Sequence, residues 1–360
     1  MRVLALNSSL RTDGESRTEL MLGHLVKGMR EAGAEVEVVN LRDKTIRYCR
    51  GCFSCDTLTP GRCIIQDDMT KELYPKWLAC DLCIYATSLF HWTLNAPMKA
   101  FLERTWPVSE PFFVQDSDGR WVHPKRHESP NAVVLSVAGF AESWIFESLS
   151  HYANFLWGRN GKLVAEIYRP GAMSMTSFGP EKIADILGAM EQAGRELVLN
   201  NCVRPETLAQ IQRPLGDLDT IAQAANMFWR TCIDERVNPK AFRERGRIPR
   251  PHSLNDYLIL IQLAFPAKGA GDVKATVQFE FTGETSGDCY IIIDNGTIQT
   301  GMGKATQPNV VVRAPFELWM DVISGKADPA QMFTEGKCSA EGDISLLMKM
   351  MPSTKSCPTA

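Results

Sequence analysis

The sequence predicts an α/β chain built on a parallel sheet, with a smaller α+β domain after it. Strand, polar loop, helix and strand follow one another over residues 2–41, which is the start of a βαβ unit. Short apolar strands then recur at 82–87, 131–137 and 163–168 between helical stretches. Beyond a segment rich in Pro and Arg at 239–253, the pattern changes to alternating strands around an Asn295-Gly296 turn.

Composition bounds the function. The chain has 360 residues, enough for two cores, with 44% apolar and 22% charged residues and a net charge of −3. That balance offers no basic footprint for nucleic acid, and no run is long enough for a membrane span. The N-terminus MRVLALNSSL enters a strand without a charged leader, so a cytoplasmic protein is expected. Eleven cysteines are many for a reducing compartment. Four are clustered, which points to metal binding or redox chemistry rather than a disulfide scaffold.

The first strand, Arg2–Leu6, runs into the loop Asn7–Thr18. A helix follows with Leu20, Leu22, Leu25, Val26 and Met29 on its apolar face, and Gly33 stops it. Val36–Leu41 is the second strand. Hydroxyls and arginines at a helix N-terminus make a phosphate site. The loop contains neither G-x-x-x-x-G-K-[ST] nor G-x-G-x-x-G, and it also reads as a plain helix-capping loop.

Cys49, Cys52, Cys55 and Cys63 follow in the spacing C-x-x-C-x-x-C-x7-C. Gly51 and the Pro60-Gly61 turn let the backbone fold back, so the thiolates can point to one centre. Four soft donors suit iron–sulfur or zinc, and a redox-active thiol set is the third reading. Asp67 and Asp68 read as caps of the next helix. Cys80 and Cys83 read as core residues split by strand alternation.

Leu82–Thr87 is a buried strand. Ser88, Leu89, Phe90, His91, Trp92 and Asn95 lie at its carboxyl end, where open α/β sheets bind ligands. His91 and Trp92 also read as interface residues. Gly139 lies at the end of the strand Asn131–Val137. Residues 107–130 read as an insertion or lid, and Glu142–Trp157, Lys182–Leu199 and Ile221–Ile233 as helices.

The phosphate loop, the compact cysteine motif and the M-K-x-F-x-E-R helix at 98–104 resemble the flavodoxin-like NAD(P)H-dependent FMN reductases and the iron–sulfur flavoproteins, over about residues 1–240. The fold implied is a flavodoxin-like, doubly wound parallel sheet. The resemblance implies that Ser9, Arg11, Ser16 and Thr18 hold an FMN phosphate. It implies that Ser88, Leu89, Phe90, His91, Trp92, Asn95 and Gly139 border the flavin ring. It also favours a 4Fe–4S cluster on Cys49, Cys52, Cys55 and Cys63 over zinc or free thiols, and a homo-oligomer.

Residues 241–253 read as a linker, and 254–360 as the second domain. There Tyr257–Phe265 is a helix, and strands are expected at 275–282, 288–294, 297–302 and 310–313. Helices are expected at 314–324, after Asp328-Pro329 and at 344–351. With its Asn-Gly hairpin, A-P-F-E-L-W helix and I-S-G-K-x-D-P turn, this half resembles the sterol carrier protein domain, a lipid-binding α+β fold. Met348, Met350 and Met351 would suit an adaptable apolar tunnel or fill a small core.

The function implied by both resemblances is NAD(P)H oxidation through FMN, with a small apolar acceptor that is quinone-like or lipid-like. No catalytic residue is assigned, because hydride transfer to a flavin needs no side-chain base. Two other classes stay open: a flavin and cluster relay serving a protein partner, and a lipid-binding module on a degenerate flavodoxin scaffold.

Overall fold

Arg2–Asn7 forms strand β1, whose Val3 and Ala5 face one core while Leu4 and Leu6 face another, all essentially buried. A strand apolar on both faces belongs inside a parallel sheet covered on both sides. The structure, a computed structural model, describes residues 1–12, 14–176, 180–264 and 273–343. The chain divides into two units, Met1–Gly216 and Asp217–Ala360.

In the first unit, Ser16 caps α1 (Arg17–Glu31) by accepting the Glu19 N–H at 3.0 Å. Gly33, at φ +90°, turns the chain into β2 (Glu35–Asn40). After the cysteine segment come a wide helical turn at Met69–Leu73, α2 (Tyr74–Ala79), β3 (Leu82–Ser88) and α3 (Ala96–Glu103). The expected insertion carries a two-stranded hairpin, β4 (Val114–Gln115) and β5 (Trp121–Val122). Then follow β6 (Asn131–Val137), α4 (Glu147–Leu156), β7 (Leu163–Arg169), α5 (Pro180–Asn200) and α6 (Pro205–Gln212). The expected 142–157 helix begins as a tighter turn at Ser143–Phe146.

The strands pair in parallel in the order β2-β1-β3-β6-β7, the flavodoxin-like arrangement. One face is covered by α1 and α5, the other by α2, α3 and α4. The α1–α5 crossing depends on two glycines. A Cβ on Gly28 would lie 1.9 Å from the Glu191 carbonyl oxygen, and one on Gly194 would lie 2.2 Å from that of Leu25.

The second unit opens with α7 (Leu218–Asp234), α8 (Pro239–Glu244) and α9 (Leu254–Ala264). Its strands are β8 (Lys274–Thr282), β9 (Gly287–Asp294), β10 (Thr297–Met302) and β11 (Val310–Pro315), with α10 (Phe316–Ile323), α11 (Pro329–Thr334) and β12 (Ser339–Gly342) after them. They form a mixed sheet, β10-β9-β8-β11-β12, around Tyr257, Phe279, Phe281, Phe316 and Trp319. Asn295 and Gly296 adopt positive φ between the Asp294 and Thr297 pair, as the hairpin signal required.

Three details differ from the expectation. The 221–233 helix lies within the second unit. The stretch read as a tether is partly helical as α8, and Arg250 donates to Asp321 and to the Glu317 carbonyl at 3.0 Å. Arg245 and Arg250 in it are partnered, Arg245 by Glu235 at 3.2 Å, which composition alone could not reveal. Strand β12 was not expected. The helix expected at 344–351, with Met348, Met350 and Met351, falls outside the described residues.

Candidate functional site

Parallel pairing brings the carboxyl ends of β1, β3 and β6 to one edge. Asn7 is level with Ala86, and Ser88 with Val137. The loop after β1 is fastened there by Ser8, whose N–H donates to the Ala86 carbonyl at 2.9 Å. Asn95 Nδ2 donates to the Ser8 carbonyl at 2.7 Å while Asn95 Oδ1 caps α3. Ser9, Ser16 and Thr18 are buried, and Arg11 is exposed. Ser9 Oγ accepts from the Arg11 N–H, Ser16 Oγ from the Glu19 N–H, and Thr18 Oγ1 lies 2.9 Å from Ser88 Oγ. The Ser9 and Ser16 oxygens are therefore occupied as acceptors while their hydrogens remain available. Hydroxyl donors and a guanidinium at the positive end of a fifteen-residue helix fit an FMN phosphate.

The loop after β3 is a two-residue turn closed by Phe90 and Thr93, which exchange N–H···O bonds of 3.1 and 3.0 Å. Its central residues, His91 and Trp92, sit at φ +48° and +60°. Bulky residues in this region cost about 1–2 kcal/mol each, and such strain gathers at functional sites. The turn leaves Phe90, His91 and Trp92 exposed beside Leu89, whose N–H donates to the Val137 carbonyl at 2.9 Å. Gly139 is exposed on the adjacent loop. The predicted flavin contacts therefore lie on the loops after β1, β3 and β6 and in the first turn of α1, at one sheet edge.

The cysteine segment hangs from a clasp. Arg104, at the C-terminal end of α3, is buried and donates through Nη1 to Asp67 Oδ2 at 2.8 Å and through Nη2 to Asp67 Oδ1 at 3.0 Å. It also reaches the carbonyls of Arg47 and Ile65 and the Thr70 hydroxyl. Asp67 in turn accepts the N–H groups of Arg47 and Thr70. Burial opposes its charge, but Arg104 and these N–H groups hold the carboxyl below its usual range. Asp67 thus caps the following turn only secondarily. Asp68 does not cap it; its carboxylate accepts the Thr45 N–H at 2.7 Å.

Within the segment, Gly51 and Phe53 adopt positive φ on either side of Cys52. Ser54, through its hydroxyl and its N–H, lowers the Cys52 thiol pKa. Burial, with the charge of Asp56, pushes Cys55 up to about 11. Cys49 and Cys52 are exposed, Cys55 and Cys63 half-buried, and all four are free thiols. Among the described residues, no group of three or more Cys, His, Asp or Glu side chains is drawn close enough to hold a metal ion. Donor chemistry and surroundings nevertheless fit an iron–sulfur centre. Arg104 Nε and the Tyr74 hydroxyl, within electrostatic reach of Cys63 and Cys55, are buried without hydrogen-bond partners among the described residues.

Sequence reading missed Tyr74, Arg104 and Ser54 as parts of this site. Only the conspicuous Arg in M-K-x-F-x-E-R signalled one of them. It also misjudged Cys80, which sits at the end of α2 rather than on β3. Its sulfur donates to the Trp77 carbonyl at 3.3 Å and interacts with that of buried Cys83.

Residues 1–116 match the family model of NADPH-dependent FMN reductases, and residues 267–355 that of the SCP-2 sterol transfer family. An iron-sulfur flavoprotein of Archaeoglobus fulgidus is 34% identical over 107 residues, 30% of this chain and 46% of its own length. One of Methanocaldococcus jannaschii is 28% identical over 119 residues, 33% of this chain and 59% of its own length. The chain thus spans about half the length of these relatives. The solved NAD(P)H:quinone oxidoreductase of Methanothermobacter marburgensis superposes with a TM-score of 0.41 at 20% identity, covering 55% of this chain and 96% of that one. Among the described residues no helix is long and apolar enough to cross a membrane. Residues 1–116 are thus similar to the NADPH-dependent FMN reductases, and residues 267–355 to the SCP-2 sterol transfer family.

Proposed function

We propose that the protein is an FMN-dependent NAD(P)H oxidoreductase with a 4Fe–4S centre on Cys49, Cys52, Cys55 and Cys63, reducing a small apolar acceptor. One observation carries this reading: α3 has one end in each half of the site. Its cap, Asn95, bonds to the Ser8 carbonyl in the hydroxyl loop, and Arg104 beyond its last turn clasps the cysteine segment. Eight residues of helix make a rod of about 12 Å, which suits two redox groups set close together.

Ser9, Arg11, Ser16 and Thr18 would hold the FMN phosphate, with the α1 N-terminus and the Arg11 charge offsetting its negative charge. Ser88, Leu89, Phe90, His91, Trp92, Asn95 and Gly139 would border the ring. FMN, when bound, supplies hydride chemistry with NAD(P)H, and the cluster supplies single-electron transfer. The aromatic turn would exclude water from one side of the ring, and Asn95 would keep the two loops in register. We further propose a homo-oligomer in a reducing, cytoplasmic setting, with the sterol-carrier-type half supplying a quinone-like or lipid-like acceptor.

Anaerobic purification, an absorption spectrum and iron and sulfide counts test the reading, followed by addition of NADH or NADPH. A yellow-brown protein that bleaches is expected. Yellow protein without iron reduces the reading to a plain reductase. Failure of either nucleotide to bleach it makes the protein a relay, and a colourless protein that takes up no FMN overturns the proposal.

A further inference from the structure

By the cysteine loop, two buried donors, the Tyr74 hydroxyl and the Arg104 Nε–H, and one buried acceptor, Asp56 Oδ1, have no hydrogen-bond partner among the described residues. Tyr74, at the start of α2, is 8% exposed and stacks on Trp77, yet its hydroxyl has no partner. Arg104 is 2% exposed; its two Nη atoms serve Asp67, Thr70 and backbone carbonyls, while Nε–H has no hydrogen-bond partner at ordinary distance among the described residues. Burying a donor without a partner costs on the order of a hydrogen bond, so two such donors in one place need an explanation.

Both lie within electrostatic reach of the cysteine segment's thiols. Cys63 acts on the Arg104 guanidinium, and Cys55 acts electrostatically on the Tyr74 hydroxyl. Arg126, whose Nε donates to the Ser109 carbonyl at 3.2 Å, adds positive charge near Tyr74. The Asp56 carboxylate accepts from Trp106 Nε1 at 3.1 Å through Oδ2 while its Oδ1 is buried without a partner, so it adds an acceptor and not a donor. A thiol is a weak acceptor, but a thiolate in a metal or iron–sulfur centre is a good one. Hydrogen bonds to the sulfurs are among the means by which a protein sets the potential of such a centre.

We propose that the Tyr74 hydroxyl and the Arg104 Nε–H are the hydrogen-bond donors to the Cys55 and Cys63 sulfurs of the loaded iron–sulfur centre. Both are then positioning residues that retain it and raise its reduction potential. This rests on the cluster reading above. Donation to sulfur favours the more negative, reduced cluster, so loss of a donor lowers the potential.

The test uses full-length protein reconstituted anaerobically with iron and sulfide, comparing wild type with Tyr74→Phe and Arg104→Lys. Tyr74→Phe removes only the unpartnered hydroxyl, so metal-free protein should melt no lower than wild type. In loaded protein, iron release to a chelator should accelerate about tenfold or more, the factor associated with one charge-assisted hydrogen bond. The midpoint potential should become more negative. Arg104→Lys, which keeps a cation beside Asp67, should shift both readouts the same way. Unchanged release and potential in loaded Tyr74→Phe overturn the proposal, whatever Arg104→Lys does. A wild type that takes up neither iron nor sulfide overturns the cluster reading, and this assignment with it.

Discussion

Replacing Asp67 by Asn should unfasten the cysteine loop at a large cost in stability. The Asp67–Arg104 pair is bidentate, and each side chain is only 1% exposed. Removing one partner leaves the other charge buried and uncompensated, which costs about 3–5 kcal/mol. For a unit of this size that is a drop of about 6–20 °C in melting temperature. An isolated buried pair can often be replaced on both sides by apolar groups with little loss. Here it cannot, because the clasp also satisfies the Arg47 N–H and carbonyl, at 2.9 and 2.6 Å. Each orphaned backbone group costs about 1–3 kcal/mol, so Asp67→Leu with Arg104→Met should remain well below wild type. Urea unfolding followed by tryptophan fluorescence measures both variants, and iodoacetamide labelling of Cys63 should accelerate in each. A loss under about 1 kcal/mol in Asp67→Asn, or full recovery in the double variant, would refute the clasp. Asp67 ionises below its usual range, so the stabilisation is present above the ordinary Asp pKa of about 3.9 and fades as pH falls below it.

Three further outcomes are expected. Gly28→Ala or Gly194→Ala drives a methyl group far inside van der Waals contact with the backbone of α5 or α1 respectively and should cost about 1–3 kcal/mol or more in denaturant unfolding; a neutral result would mean the helices do not cross that closely. Glu196 is buried, which by itself would raise its pKa, but the Arg204 N–H and the Gln192, Arg204 and Thr207 side chains hold it down at about 2. Its contribution of roughly 3 kcal/mol is present above the unfolded Glu pKa of about 4.3 and lost as pH falls to 2, so Glu196→Gln should flatten that limb of the stability curve in acid titrations. His91→Asn relieves left-handed strain at an exposed position and should raise stability by about 0.5–1 kcal/mol while weakening FMN retention; a gain with unaltered retention would leave the imidazole without a role at the ring.

The sheet was legible because burial on both faces forces apolar runs. Asn131–Val137 has the predicted limits, and β3 differs by one residue from the predicted 82–87. The Asn295-Gly296 turn was legible because few other residues accept its φ angles. The His91-Trp92 turn was not, since the same geometry is built there from residues that resist it. Nor was the clasp: Asp67 and Arg104 are separated by α2 and β3, and nothing in the local pattern marks a carboxylate that pairs across the fold. Capping was the local expectation for Asp67, and the Thr70 N–H at 3.3 Å is what remains of it.

The same limit explains why the two halves of the site had to be related through structure. Spacing identifies four thiols, and loop chemistry identifies a phosphate cradle, but neither contains the distance between them. That information resides in α3, where Asn95 and Arg104 are only nine residues apart and each is buried by partners far away in sequence. A change that tilted α3 would move both ends together. Substitution of a packed residue such as Phe101, 0% exposed in the core between them, should therefore disturb FMN retention and thiol reactivity in the same variant. Phe101→Leu measured by flavin release and by Cys63 labelling makes the comparison. If one readout moves and the other does not, α3 does not couple the hydroxyl loop to the cysteine segment.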